Sequence, residues 1–124
     1  MPSALEYFEE IAKIPRPSGH EEKIREYLKS FAAKHSLECI EDAAGNIIIR
    51  RGSPSITQQG HMDMVPQKNN DTAFDFEKDP IEAYVDGEWV TAKGTTLGAD
   101  NGIGVAAAMA ILADKSVVHP PLEV

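Results

Sequence analysis

Two short stretches of the chain combine acids and an imidazole with glycine-flanked bends. His61 and Asp63 lie in GHMDMVPQ, at residues 60–67, and Asp100 lies in GTTLGADNGIG, at residues 94–104. Each stretch follows an apolar or β-branched run, which is where a rigid sheet delivers side chains to a site. A neutral imidazole and hard carboxylates without a thiolate form a ligand set that zinc, cobalt or manganese accepts. The first hypothesis is therefore a metal site.

Each of these residues also has a simpler interpretation. His61 could be a hydrogen-bonded histidine near the end of a strand. Asp63 could form the turn before Val65 and Pro66. Asp100 could cap the helix that follows it, because aspartate is a preferred N-cap, and taken alone it is better explained by capping than by a metal. The combination favours a metal site, because glycines that packing alone does not require surround the acidic group in each motif.

At these motifs the sequence resembles the aminoacyl-histidine dipeptidases, the cytosolic dipeptidase branch of the M20 co-catalytic zinc peptidases. The Asn101-Gly102 pair after Asp100 favours this branch over the carboxypeptidase, deacetylase and tripeptidase branches. The resemblance spans nearly the whole chain in order. It also rests on three further segments: RPSGHEEKIREYL at 16–28, DGEWV at 86–90 and HPPLEV at 119–124.

The resemblance implies a role for each of three residues. His61 would bind one of two divalent metal ions, zinc in the first instance with cobalt or manganese as alternatives, and Asp100 would bridge both ions. Asp63 would be a catalytic residue that orients the His61 ring from behind the metal. The two oxygens of Asp100 can contact metals about 3.5 to 4 Å apart. A shared metal requires the His61 nitrogen and the Asp100 oxygen to lie roughly 3 to 5 Å apart. The resemblance further implies a cis peptide bond between Asp100 and Asn101.

The implied activity is the hydrolysis of dipeptides, Xaa-His and broader, by a water that two metals activate. Two zinc ions each need about four ligands, so His61 and Asp100 cannot complete such a centre. The resemblance places the general-base glutamate and the remaining ligands after Val124. We therefore expect residues 1–124 to be the N-terminal portion of the catalytic domain and to be inactive alone. The alternative is a non-catalytic truncated fragment that acts as a folding or binding module.

Composition sets further limits on the partners and the location. The 124 residues form one domain or part of one, and the net charge of −8 and the pI near 4.9 argue against nucleic acid or an anionic membrane as partners. The longest apolar stretch, residues 104–113, is too short to span a bilayer. The first residues lack the basic start and apolar run that are typical of a signal peptide. A single cysteine fits a reducing cytoplasm. We expect a cytoplasmic protein, and the resemblance implies a full-length homodimer.

The periodicity of apolar residues predicts an α/β fold, with a mixed sheet flanked by helices. Ser3 and Glu6 predict a capped first helix, and Ser18 and Glu21 have the spacing of a capping box for the second. The expected helices cover residues 4–14, about 19–35 and about 102–113. The expected strands lie near residues 37–41, 46–51 and 55–60, with a turn at 52–54, and a hairpin joins 81–85 to 88–93 through Asp86-Gly87.

Overall fold

The computed structural model of the protein describes residues 2–53 and 56–124 and shows the predicted α/β architecture. Pro54 of the predicted turn and Ser55 of the predicted third strand lie outside the described residues. In chain order the elements are α1 (Ala4–Ala12), α2 (Glu22–Lys34), β1 (Glu38–Glu41), β2 (Ile47–Arg51), β3 (Ile56–Thr57), β4 (Ala83–Asp86), β5 (Trp89–Ala92), α3 (Ala99–Ala113) and β6 (Leu122–Glu123).

Helix α1 begins as the sequence predicts. The Ser3 hydroxyl accepts a hydrogen bond from the Glu6 amide, and the Glu6 carboxylate accepts one from the Ser3 amide, which completes a capping box. The apolar face of α1 packs against α3, with Phe8, Ile11 and Met109 among the buried residues. Packing against α1 thus holds α3, the helix that carries Asp100 near its start.

The main sheet is mixed, as predicted, and its strand order is β1-β2-β6-β3. Strand β6 lies between two neighbours: it pairs antiparallel with β2 and parallel with β3. Leu122 of β6 is buried in the same core as Ile49 of β2. Helix α2 packs against β1 and β2. The last residues of the sequence thus occupy the interior of the sheet.

Strands β4 and β5 form a separate two-stranded hairpin, as predicted. Because Asp86 pairs with Trp89, the two turn residues are Gly87 and Glu88, and the predicted Asp86-Gly87 turn is wrong by one residue. Much of its apolar surface is exposed, including Val85 and Trp89. Among the described residues, no helix has the length and apolar character needed to cross a bilayer.

The boundaries of α2 and β3 differ from the sequence-based expectation. Helix α2 begins at Glu22, without a side-chain cap, so the Ser18–Glu21 capping box is wrong. The described part of β3 ends at Thr57 instead of residue 60, although the Gln58 amide still donates to the Glu123 carbonyl of β6 at 2.8 Å. Helix α3 is assigned from Ala99, although Asp100 and Asn101 have non-helical backbone angles. Its regular part therefore begins near residue 102, as predicted.

Candidate metal centre

The stretch that carries His61 and Asp63 is held in place by the segment after α1. The amide of Met64 donates to the carbonyl of Arg16 at 3.0 Å, and the amide of Ser18 donates to the carbonyl of Met64 at 3.1 Å. These bonds form a short parallel bridge between the two segments. Met64 is also buried against the core. The acidic stretch is thus fixed at its C-terminal end, although it is not part of a regular strand.

Asp100 is presented by an irregular turn at the start of α3. Gly98 adopts a left-handed conformation with φ of 80°, which a residue with a side chain rarely adopts. Asp100 follows with an extended backbone, φ −96° and ψ 101°, and its peptide bond to Asn101 is cis, as the resemblance implied. The side chain of Asp100 is 97% exposed, and its carboxylate contacts the ring of His61.

The helix-capping interpretation of Asp100 is not supported. The N-cap residue of α3 is Gly98, and the helix has no side-chain cap hydrogen bond. The contact that the Asp100 carboxylate does make is with His61, across 39 residues of sequence.

The structure brings the three predicted residues together. His61 Nε2 lies 3.0 Å from Asp100 Oδ1, within the distance that a shared metal requires. His61 Nδ1, on the other side of the ring, lies 3.2 Å from Asp63 Oδ1 and 3.1 Å from the Asp63 carbonyl oxygen. Asp63 and Asp100 therefore contact opposite nitrogens of one imidazole. This is the arrangement expected of an orienting acid and a ligand.

The hydrogen bonds of the ring determine which species fits between His61 and Asp100. Both partners of Nδ1 are acceptors, so Nδ1 carries a proton and Nε2 of the neutral ring presents a lone pair. That lone pair faces a carboxylate oxygen, and two acceptors at 3.0 Å need a positive group between them. A proton on Nε2 meets this need, and the hydrogen bond to Asp100 accordingly raises the pKa of His61. A divalent cation meets the same need.

Ser18 is a member of the site that the sequence did not reveal. Its hydroxyl donates to Asp63 Oδ2, and this bond, more than any other interaction, lowers the pKa of Asp63. The hydroxyl expected to cap α2 is thus used to hold the Asp63 carboxylate. The sequence signal for Ser18 was its position in the RPSG segment, which is part of the family resemblance.

Arg16 is the second such residue. Its side chain is buried, with a relative exposure of 1%, and it donates from Nη1 to the Met62 carbonyl at 3.1 Å and from Nη2 to the Gly98 carbonyl at 2.9 Å. Burial lowers the pKa of Arg16 to about 10, so the guanidinium stays charged at neutral pH. The sequence offered only its position between Pro15 and Pro17 in the RPSG segment.

The donor set fits part of a metal centre. His61 and Asp100 supply one nitrogen and one carboxylate that converge, and Asp63 holds the ring from behind. Within residues 2–53 and 56–124, no group of three or more His, Cys, Asp or Glu side chains converges as a metal-binding cluster. The described residues therefore fit two ligands and an orienting acid, but not a complete coordination sphere.

The other histidines lie in unrelated surroundings, as the sequence indicated. His20 pairs with Glu77 at 3.1 Å, His35 stacks against Phe31 with ring centroids 4.7 Å apart, and His119 contacts a neighbouring carbonyl. None of these contacts involves His61 or Asp100.

A groove of about 920 Å³ runs beside the imidazole. It is bordered by β2, by residues 57–63 and by one face of α3. His61 and Asp63 are among the lining residues, but Asp100 is not. The groove therefore does not enclose the point where His61 and Asp100 meet, and we assign it no role in substrate binding.

Comparison with known proteins gives the geometry a context. The cytosol non-specific dipeptidase of Escherichia coli is 54% identical over an alignment of 124 positions, which covers 94% of this chain and 26% of that protein. The crystal structure of aminoacylhistidine dipeptidase from Vibrio alginolyticus superposes with a TM-score of 0.92 at 46% identity and covers 97% of this chain. Over nearly its whole length, the chain is similar to a segment of these dipeptidases. The resemblance recognised in the sequence is thereby confirmed.

These matches cover only part of each relative. The chain spans about a quarter of the length of these two dipeptidases, 26% in each case. A [LysW]-lysine hydrolase of Deinococcus radiodurans is 36% identical over 66 residues, or 52% of this chain. A tripeptidase from Staphylococcus aureus, at 23% identity and a TM-score of 0.79, shares the fold. No protein-family model matches the chain.

Proposed function

We propose that this chain supplies part of the two-metal centre of a dipeptidase. In this proposal His61 binds one divalent ion, Asp100 bridges both, and Asp63 orients the His61 imidazole. The proposal rests on one observation: His61 Nε2 and Asp100 Oδ1 converge to 3.0 Å, while Asp63 engages the opposite ring nitrogen. Its support from outside the structure is the relationship to dipeptidases over nearly the whole chain.

Bound metals would activate a water and polarise the scissile carbonyl of the substrate. The residues of this chain would contribute position and proton placement. Asp63 keeps the proton on Nδ1 of His61, so that Nε2 remains a ligand and gains basicity. Ser18 fixes the Asp63 carboxylate for that task.

The finer assignments follow from the family and the ligand types. Imidazole and carboxylate favour zinc, with cobalt or manganese as alternatives. A dipeptide is the proposed substrate, and a cytosolic location and a homodimer are proposed for the whole protein. Residues 1–124 would be the N-terminal portion of its catalytic domain. Because two converging ligands cannot complete two metal sites, we expect the chain alone to be inactive.

The first test measures metal binding and hydrolysis with the 124-residue chain. Titration with Co²⁺, followed by calorimetry, should show saturable binding that Asp100→Ala weakens at least about 10-fold, the size of effect seen when metal-site residues are altered. Asp86→Ala, which removes an exposed acid from the end of β4, is the matched control and should leave binding unchanged. Alanyl-histidine hydrolysis, followed by product chromatography, should be undetectable with added zinc, manganese or cobalt.

Two results would contradict the proposal. Equal Co²⁺ affinity in the parent and in Asp100→Ala would remove Asp100 from the metal site. Hydrolysis by the chain alone, at a rate comparable to a full-length dipeptidase, would show that no further ligands are needed.

A further inference from the structure

Arg16 lies between the two motifs of the candidate site and touches the backbone of both. Nη1 donates to the Met62 carbonyl, one residue from His61, and Nη2 donates to the Gly98 carbonyl, two residues from Asp100. These partners lie 46 and 82 residues away from Arg16 in sequence. One rigid guanidinium thus connects two segments that local structure does not connect.

The surroundings of the guanidinium are shaped to receive it. A Cβ atom at Gly98 would lie 2.6 Å from Nη2, and a Cβ atom at Gly102 would lie 2.9 Å from the same nitrogen. Both distances are too short for any residue with a side chain unless the guanidinium moves. Two glycines of the turn that presents Asp100, Gly98 and Gly102, therefore lie close to Nη2 of Arg16.

Stability alone does not account for this arrangement. A buried cation is costly to desolvate, and an apolar side chain of similar volume often stabilises a core as well or better. Within the described residues, the hydrogen bonds of Arg16 go to backbone carbonyls, and its buried Nε has no partner. What the guanidinium provides is a forked group whose two ends fix two loops at a set separation.

We propose that Arg16 is a positioning residue, which sets the separation of His61 and Asp100 by holding the Met62 and Gly98 carbonyls in a fixed relation. This inference deepens the proposed function and rests on it for the role of the two ligands. The proximity of His61 and Asp100 can be tested without metal.

The test compares Arg16→Lys with the parent chain by nuclear Overhauser contacts between the His61 ring protons and the Asp100 methylene protons. Lysine keeps the charge but lacks the rigid fork whose two nitrogens contact the two carbonyls, so the cross-peak should be lost or strongly weakened. Ile11→Ala is the matched control, because Ile11 has the same 1% exposure in the α1–α3 core and lies outside the Arg16 hydrogen bonds. It should lower stability and keep the cross-peak.

A second variant covers the case in which Arg16→Lys does not fold. Gly102→Ala places a methyl group against Nη2, with a helical backbone that alanine favours, and should weaken the same cross-peak. A cross-peak at parental intensity in folded Arg16→Lys, or in Gly102→Ala if the lysine variant is unfolded, would overturn the inference. Loss of the cross-peak in Ile11→Ala would also overturn it, because general loosening would then be sufficient.

A Co²⁺ titration of the same variants separates this inference from the proposed function. We expect Arg16→Lys to bind Co²⁺ about 10-fold more weakly than the parent, as supporting residues of metal sites typically do when altered, with Ile11→Ala unchanged. A parent chain that does not bind Co²⁺ would contradict the proposed function, while the cross-peak result would still decide the role of Arg16.

Discussion

His61, Asp63 and Asp100 differ in how firmly the protein holds them. Asp63 is fixed from two sides, by the hydroxyl of Ser18 and by the ring of His61. Asp100 is almost fully exposed and its carboxylate contacts His61 alone among the hydrogen bonds found in the described residues. The two contacts of Asp63 suit a residue that orients His61. The exposed carboxylate of Asp100, which lies beside the imidazole, remains available to a cation.

This difference predicts different outcomes for two substitutions in a full-length protein that contains this sequence. Asp100→Ala should abolish activity and remove metal, because a bridging carboxylate takes part in both coordination spheres. Asp63→Asn should keep most of the metal and lower turnover about 10- to 100-fold, because it acts through one imidazole. Elemental analysis and dipeptide hydrolysis of both purified variants provide the measurement. Two metals per chain in Asp100→Ala would remove the bridging role.

At this scale the sequence pointed to the three residues of the proposed site but not to the residues that hold them in place. His61, Asp63 and Asp100 are recognisable because their types and glycine neighbours are local features. Ser18 and Arg16 find their partners 45 and 46 residues away, so their roles depend on the fold. The Ser18–Glu21 spacing even suggested a different role, because a capping box is a local pattern and the tertiary contact with Asp63 prevails over it.

Among the elements, the turn into α3 matters most for the site, and its glycines are not equivalent to glycines elsewhere. Gly98 and Gly87 both have positive φ, 80° and 62°. A Cβ at Gly87 would meet no atom within 4 Å, whereas one at Gly98 would lie 2.6 Å from Arg16 Nη2 and 3.0 Å from Met64 Sδ. A side chain at either position would strain the backbone, but only a side chain at Gly98 would also collide with neighbouring atoms.

We therefore expect Gly98→Ala to destabilise the chain more than Gly87→Ala. The hairpin variant should lose about 1 to 2 kcal/mol, the cost of placing a side chain in the left-handed region. Gly98→Ala should lose a further amount of about 1 to 3 kcal/mol through overpacking. Urea denaturation of both variants measures the free energy of unfolding. Equal losses would show that the Arg16 side chain yields without cost.

The elements themselves were predictable where their signals are short-range. The capping box of α1 joins residues three positions apart, and the β4–β5 hairpin has Gly87 in its two-residue turn. The start of α2 differs from the sequence-based boundary, because Ser18 contacts the distant Asp63 instead of capping the helix. The mixed character of the sheet was predicted, but the place of β6 inside it could not be read from Leu122 and Glu123 alone.

At the scale of the whole molecule, Glu123 connects three strands. Its carboxylate accepts from Arg50 Nε of β2 at 2.6 Å and from the Thr57 hydroxyl of β3 at 3.0 Å. The bonds from Arg50 and then Thr57 lower the pKa of Glu123 below its ordinary value. The charged carboxylate thus contributes to the pairing of the sheet.

A pH dependence of stability follows from this shift. Because the pKa of Glu123 is lower in the folded chain than the unfolded value of about 4.3, its contribution is present above that pH and is lost as the pH falls through the folded value. Glu123→Gln should therefore reduce the decline of the urea midpoint below about pH 5. Glu88→Gln, at an exposed hairpin position, is the control and should retain the parental profile. An unchanged profile in Glu123→Gln would contradict the prediction.

The interior position of β6 also bears on the order in which the chain assembles. The two contacts of Glu123 join it to residues 73 and 66 positions earlier, so β6 must be brought to β2 and β3 across a long intervening chain. Closing such loops is entropically costly before the contacts form, and folding slows as contacts become more distant in sequence. We expect the β1–β2 hairpin, whose paired residues are 6 to 12 positions apart, to form without β6. Until β6 inserts, β2 and β3 are open edges, and a folding intermediate of this kind is a target for self-association.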